Sequence, residues 1–301
     1  MTSPNHDRLI LVTGATGQQG GATARELLQR GFPVRALTRN TRQPAAELLK
    51  ELGVEIVEGN LDDRGSVERA LDGVYGVFSV QNFWETGAER EVAQGVGLAA
   101  AAKQAGVEHF VYSSVGSAHR NTGLAHFESK WQIEEHIRAS GIPHTIFRPV
   151  FFMANWEGPY LRPAILAGTL ALPLDPDTNF QQVALGDIAA FVAHALEQRD
   201  PWLGRALDLA SDEASIAETA NTFGRVIGRT VAYHQVPWDA YRQAAGDEYH
   251  DMFRWFQDVG YDADIGALAR AGVGLTSFEQ YLRDNAWADV SPVDAAPQNV
   301  S

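Results

Sequence analysis

Three glycines, Gly14, Gly17 and Gly20, recur at three-residue spacing between the apolar run Leu9-Ile10-Leu11-Val12 and residues 22–28, which have helical apolar spacing. A turn of this kind between a buried strand and a helix can bind a dinucleotide. The missing Cβ atoms permit a tight turn and let the backbone approach a pyrophosphate, whose charge then meets the positive end of the helix. The stretch VTGATGQQG at 12–20 is therefore read as a dinucleotide-binding turn. The next strand, Val34–Thr38, ends about 20 residues further on, where an NAD-binding chain usually carries an acid for the ribose 2′-hydroxyl. Here the residues are Thr38, Arg39 and Asn40, with Arg42 close behind and no carboxylate before Glu47. A guanidinium holds a 2′-phosphate with paired hydrogen bonds and a permanent charge, so these residues point to NADP(H). The alternative is that Arg39 is a solvated loop residue.

The elements that must position these groups alternate through the first half of the chain. Strands are expected at Glu55–Glu58, 74–80, His109–Ser113 and 144–148, and helices at 66–71, 89–105 and 127–139. Strands separated by helices of this length imply parallel pairing through right-handed crossovers, an α/β, Rossmann-type doubly wound sheet. A further helix is expected at 183–196. From Gly158 the pattern loosens into Pro- and Gly-rich stretches. Ser215 and Glu218 have the spacing of a capping box, opening a helix that stops near Gly228, and a strand at 231–236 and an aromatic-rich helix at 249–261 follow. The expected organisation is a flexible N-terminus at 1–7, a dinucleotide-binding domain at 8–157 and a smaller C-terminal α/β substrate or lid region at 158–288. Parts of the latter, about 183–211, return to the first sheet, and a disordered tail occupies 289–301.

Composition excludes several classes. The 301 residues carry a formal net charge of −14, which repels nucleic-acid phosphates, and no basic stripe offsets it. There are no cysteines, hence no thiolate catalysis, disulfides or cysteine metal sites, and the nine histidines lack metal-ligand spacing. No apolar run approaches the ~20 residues needed to cross a membrane, and the start MTSPNHDR lacks a signal-peptide core. The cytoplasm is the expected location.

Seven segments resemble the NmrA-like, atypical branch of the short-chain dehydrogenase/reductase superfamily over about residues 9–282. They are VTGATGQQGG at 12–21, ALTRN at 36–40, VEGNLDD at 57–63, GVYGVFSVQNFWE at 73–85, GVEHFVYSSV at 106–115, HFESKWQIEEHI at 126–137 and RPVFFMANW at 148–156. The string Asn82-Phe83-Trp84-Glu85 and the run from His126 to Lys130 are most similar to the HSCARG-type subgroup, whose best-known member is an NADPH sensor. The resemblance implies that Gly14, Thr16, Gly17, Gln18, Gln19 and Gly20 hold the pyrophosphate. It places Thr38 and Arg39 at the 2′-phosphate, Asn60 and Leu61 beside the adenine, Gln81 and Asn82 near the ribose, and Pro149 and Phe152 against the nicotinamide. Many relatives carry Asp where this chain has Asn60. Tyr112, Ser113 and Ser114 would face the reacting centre; Ser113 or Ser114 is a candidate to orient a substrate oxygen, the alternative being a backbone-bonding turn residue at a strand end.

The departure from the superfamily lies at 126–130. Ordinary members carry a tyrosine four residues before the lysine, so that both share a helix face and the ammonium lowers the phenol's pKa. Here Lys130 is kept as the expected ribose and nicotinamide ligand, but position 126 is histidine. An imidazole can donate a proton near neutrality, yet it is shorter than a phenol; the competing role for His126 is to order the loop or contact the cofactor. Trp84, Phe152 and Trp156 are candidates for an apolar pocket that takes a flat substrate, Trp84 and Phe152 foremost. Two functions remain open. One is an NADPH-dependent reductase of a small planar apolar acceptor such as a quinone, enone or imine, with Lys130, His126 or water supplying the proton. The other is a non-catalytic NADPH/NADP redox sensor acting on a protein partner. A sugar-nucleotide epimerase is set aside for want of the tyrosine. A homodimer is plausible for the superfamily, though no segment specifies its interface.

Overall fold

The computed structural model describes residues 5–288. The chain divides into two compact units, one built from residues up to Pro149 together with 185–209, the other from 150–184 and 210 onward. The boundary expected at 158 falls at Val150. The tail at 289–301 and residues 1–4 lie outside the described residues, but residues 5–7 form a turn tied to the first unit. Buried Asn5 donates its side-chain amide to the Arg30 carbonyl at 3.1 Å and to Glu197 Oε1 at 3.3 Å, so the expected flexible start does not extend to Asn5.

In the first unit strands and helices alternate as β1 (Ile10–Val12), α1 (Gln18–Gln29), β2 (Val34–Thr38), α2 (Pro44–Glu51), β3 (Glu55–Glu58), α3 (Arg64–Ala70), β4 (Gly76–Ser79), α4 (Phe83–Gln104), β5 (His109–Ser113), α5 (Ala125–Ser140) and β6 (His144–Pro149). The helix Leu185–Glu197 and the strand Ala206–Leu209 complete it. The seven strands form one sheet with every pairing parallel. Ala206–Leu209 lies at one edge, followed by β6, β5, β4, β1, β2 and β3, which is the doubly wound Rossmann-type order. Such a sheet needs cover on both faces. Val67, Leu98, Ala102, Ile133 and Ile137 of α3, α4 and α5 pack on Leu11, Val77, Phe110 and Ile146. On the other face α1 packs against Leu185–Glu197, and Phe191 lies 6.0 Å from Phe147.

The structure adds α2, which the sequence pattern did not announce, and starts α4 six residues before the expected 89. The difference arises at Gly87, whose φ of 73° and ψ of 170° break the helical backbone and set a separate turn, 83–86, before the main helix. In the second unit Phe151–Phe152, Asn179–Val183 and Asp212–Ser215 form a three-stranded sheet, and Thr169–Leu172 pairs in parallel with Ala232–Gln235. The Ser215 capping box forms: its hydroxyl accepts from Glu218 N while Glu218 Oε2 accepts from Ser215 N. That helix, Ile216–Ile227, ends on Gly228 at a φ of 78°. No helix among the described residues is long and apolar enough to cross a membrane.

One buried group makes the first unit sensitive to acid. His109, fully enclosed on β5, shares a 2.8 Å hydrogen bond between Nε2 and Thr145 Oγ1, whose own proton goes to the Trp202 carbonyl. Nε2 must therefore donate, and Nδ1 is buried without a partner among the described residues. Burial, aided by the Arg199 and His144 charges, pulls the His109 pKa down to about 4. The unfolded chain, with an ordinary value near 6.5, takes up a proton that the folded chain refuses, so stability falls as pH drops from about 6.5 to about 4. The contribution of this group over that window is roughly 3 kcal/mol. In His109→Leu, the slope of urea-unfolding stability against pH should flatten by that amount between pH 7 and 4; parallel curves for the two proteins would rule out His109 as the source.

Candidate functional site

The glycine turn joins β1 to α1. Gly17 N donates to Gly14 O at 2.9 Å, closing a turn over residues 14–17, and Gly21 N donates to Gly17 O at 3.0 Å, opening α1. Gly14 sits at a φ of 60°, and a Cβ on Gly20 would lie 2.3 Å from Gly14 O, so neither position accepts a side chain. No side chain caps the N-terminus of α1 and no acid lies in its first turn. Its leading N–H groups therefore face outward as an anion site beside exposed Gly17 and Gln18 and half-buried Thr16. This backbone fits a pyrophosphate. Gln19 turns inward instead: its Oε1 accepts from Ser113 Oγ at 2.6 Å, tying the end of β5 to the start of α1.

At the end of β2 the structure separates two residues that the sequence reading had grouped. Thr38 is buried, and its hydroxyl accepts from Gln43 Nε2 at 3.0 Å and Asn40 N at 3.3 Å, so it shapes the loop rather than presenting a ligand group. Arg39 is exposed and lines a cleft of about 590 Å³ together with Glu58, Gly59, Asn60, Asp63, Ser66 and Arg69. The walls are held by short-range bonds: Asn60 N donates to Ser66 Oγ at 3.0 Å, and Asp63 caps α3 through Gly65 N and Ser66 N. Asn60 Oδ1 accepts from Asp62 N at 3.1 Å, a bond that an Asp at this position could also accept. Half-buried Leu61 belongs to the same turn.

Further along the edge, buried Gln81 follows β4; its Nε2 donates to Ser79 Oγ, while its Oε1 is buried without a partner among the described residues. An orphaned acceptor at this point suits a ligand with N–H or O–H groups. Asn82 is exposed beside it. Lys130, on α5, reaches the same place: Nζ lies 2.8 Å from Glu91 Oε1 and 3.4 Å from the Gln81 carbonyl. Glu91 is fully buried on α4 and also accepts from Ser129 Oγ at 2.5 Å. Sequence reasoning missed Glu91, because nothing in the local pattern marks an acid inside a helix as the partner of a lysine 39 residues away. His126 precedes Lys130 by one helical turn and is 7% exposed. It is walled by Phe83, Trp84 and Phe127, with ring centroids at 5.6, 5.1 and 4.7 Å.

Other candidates are placed differently from expectation. Ser113 is fully buried and its hydroxyl serves Gln19, which makes it a positioning contact and not a substrate ligand. Tyr112 and Ser114 are buried as well, and the Tyr112 phenol, raised well above its ordinary pKa by burial, sits in the core beneath α3–α5 rather than facing a reacting centre. Pro149 is buried and its carbonyl accepts from Gly116 N at 2.7 Å. Trp156 is enclosed in the core of the second unit, its Nε1 donating to Gln182 Oε1 at 2.5 Å and its ring against Phe151, Phe180 and Phe223; it cannot line a substrate pocket. Phe152, also in the second unit, is half-buried, and Trp84 in the first is half-exposed.

The Glu91–Lys130 pair is the most enclosed of the site's charge contacts, with side chains 0% and 13% exposed. Removing one partner strands the other charge out of water. Glu91→Ala should cost about 3 kcal/mol in urea unfolding, and Lys130→Met in the same background should recover most of it. Equal losses from the single and double variants would mean that the two charges are not coupled.

A model of the NmrA-like family matches residues 6–282. Over 248 residues the chain is 36% identical to the (4-alkanoyl-5-oxo-2,5-dihydrofuran-3-yl)methyl phosphate reductase of Streptomyces griseus, which spans 80% of this chain and 82% of that protein. Among solved structures, Citrobacter sp. triphenylmethane reductase complexed with NADP(H) matches with a TM-score of 0.78 at 19% identity, covering 92% of this chain and 99% of that one. NmrA, a negative transcriptional regulator in complex with NADP, matches with a TM-score of 0.77 at 21% identity, covering 98% and 99%. The two structures share the fold, and the family model extends over nearly the whole length that carries the glycine turn, Arg39 and Lys130: the chain belongs to the NmrA-like family.

Proposed function

We propose that this protein is an NADPH-dependent reductase of a small planar acceptor, a quinone, enone or imine. The observation that carries the reading is the uncapped N-terminus of α1 at a glycine turn without side chains, in the same sheet edge as exposed Arg39 and enclosed Lys130. A pyrophosphate fits the first, a 2′-phosphate the second and ribose hydroxyls the third. The named substrate of the Streptomyces griseus relative contains an unsaturated lactone conjugated to carbonyls, an enone, which supports that part of the acceptor class.

A bound reduced nicotinamide would supply the hydride. The chain's own residues do the rest. Glu91 fixes the Lys130 ammonium, which donates to Glu91 and Gln81 and keeps one N–H for a ribose oxygen. His126 stands one turn away as the candidate proton donor, and the rings of Phe83, Trp84 and Phe127 shield it from water. A conjugated acceptor forms a stabilised anion on reduction, so water can complete the protonation where the imidazole does not reach. The second reading, an NADPH/NADP sensor acting on a protein partner, draws on that enclosure of His126 and on the regulator NmrA among the structural neighbours.

The test is a paired titration of the purified protein with NADPH and NADH, followed by cofactor oxidation with a panel of quinones and enones. Tight NADPH binding with turnover is expected. Arg39→Asp should weaken NADPH far more than NADH, and Lys130→Ala should weaken both. His126→Ala should leave affinity unchanged while slowing turnover on the order of 10²-fold if the imidazole is the acid. Tight binding without turnover on any acceptor would replace the reductase by the sensor.

A further inference from the structure

The end of β2 has no carboxylate in sequence, yet the fold delivers one in space. Glu85 Oε1 lies 2.5 Å from the Arg39 guanidinium, although it comes from the turn 83–86 after β4. Gly87 makes this possible: its φ of 73° and ψ of 170° detach residues 83–86 from the axis of α4 and let the turn sit at the mouth of the sheet edge. The charges nearest to the pair, Arg90 and Asp62, are engaged with one another. Arg90 binds Asp62 through two nitrogens, and Asp62 also accepts from Gln94 Nε2 at 2.9 Å. Arg69 lines the cleft with Arg39, and so do Glu58 and Asp63. The side chains of Arg39 and Glu85 are 62% and 46% exposed, so their pairing contributes little to the stability of the fold and opens without burying a charge.

We infer that Glu85 is a specificity-determining residue that sets the cofactor preference by competing with the 2′-phosphate for Arg39. This rests on the reading of Arg39 as the 2′-phosphate ligand. A phosphate grips a guanidinium through paired N–H donors, and Glu85 already occupies part of that fork while presenting a like charge to the incoming dianion. With NAD(H) the situation reverses. A carboxylate at the end of β2 is the group that accepts the ribose 2′-hydroxyl in chains selective for NAD, and Glu85 brings a carboxylate beside the guanidinium of Arg39, the residue that follows β2. The residue therefore narrows the gap between the two cofactors from both sides, weakening the phosphorylated one and assisting the other.

The experiment is a fluorescence titration of the full chain with NADPH and with NADH at low salt, for wild type, Glu85→Gln and Arg39→Gln. Glu85→Gln keeps the size of the side chain and removes its charge. It should tighten NADPH about 10-fold and leave NADH unchanged or weaker, so that the ratio of the two Kd values moves by about 10-fold or more toward NADPH. Arg39→Gln should abolish the preference. If Arg39→Gln removes the preference and Glu85→Gln leaves the ratio within about twofold of wild type, the competition by Glu85 is wrong while the reading of Arg39 stands. If Arg39→Gln leaves the ratio unchanged, the 2′-phosphate assignment fails and the role of Glu85 fails with it. Both variants are on exposed positions, and matching thermal melts would show that they fold as wild type does.

Discussion

Seven strands running in parallel impose the constraint from which the site follows. A parallel strand must return by a crossover to the same end of the sheet before the next begins, so every strand ends on the same edge. Residues distant in the chain are therefore gathered at one edge: the glycine turn after β1, Arg39 after β2, Asn60 after β3, Gln81 after β4 and Ser113 at the end of β5. Because β1 lies between β4 and β2, the crossovers on its two sides cover opposite faces, and the edge opens at that strand. A turn that is to meet a pyrophosphate has to be narrow there. The 2.3 Å distance that separates a Cβ on Gly20 from the Gly14 carbonyl expresses that requirement in atoms.

Features set by local chemistry could be read from the residues alone. The bounds of β2, β3 and β5 follow from short β-favouring runs between breakers, and the Ser215 box forms because a hydroxyl and a carboxylate three residues apart satisfy two N–H groups at a helix start. Lys130 was singled out by resemblance to the superfamily's tyrosine-lysine helix and not by its local pattern. The pairings that tune the site were not. Glu91 with Lys130, Ser113 with Gln19 and Glu85 with Arg39 each join segments that only the completed sheet brings together, and an acid on a helix carries no local mark of its partner. Trp156 shows the same limit from the opposite side. An indole in a segment rich in aromatics suits a pocket or a core equally well, and the hydrogen bond to Gln182 that decides between them spans 26 residues.

The charges along the edge divide by their access to water. Lys130 and Glu91 are enclosed, so their interaction is strong and fixed, and it holds one ammonium in one place. Arg39 and Glu85 are open to solvent, where an ion pair exchanges readily for another partner. Rigid placement belongs at the end where a bond is to be made, because misplacement of a reacting group costs rate. On the proposed function, exchangeable pairing suits the far end of the dinucleotide, where it would affect which cofactor enters.

The replacement of tyrosine by His126 is consistent with this division once the demand for an acid is considered. A phenol beside a lysine serves a simple carbonyl, whose reduction places a full negative charge on one oxygen and needs a proton as it forms. A conjugated acceptor spreads that charge over several atoms, so the proton can arrive later and from water. The imidazole is held against Phe83, Trp84 and Phe127, one helical turn from Lys130. On the proposed reductase reading, the residue that departs from the superfamily thus replaces a long-reaching phenol by a shorter, enclosed imidazole, which suits acceptors whose reduction needs little help from an acid.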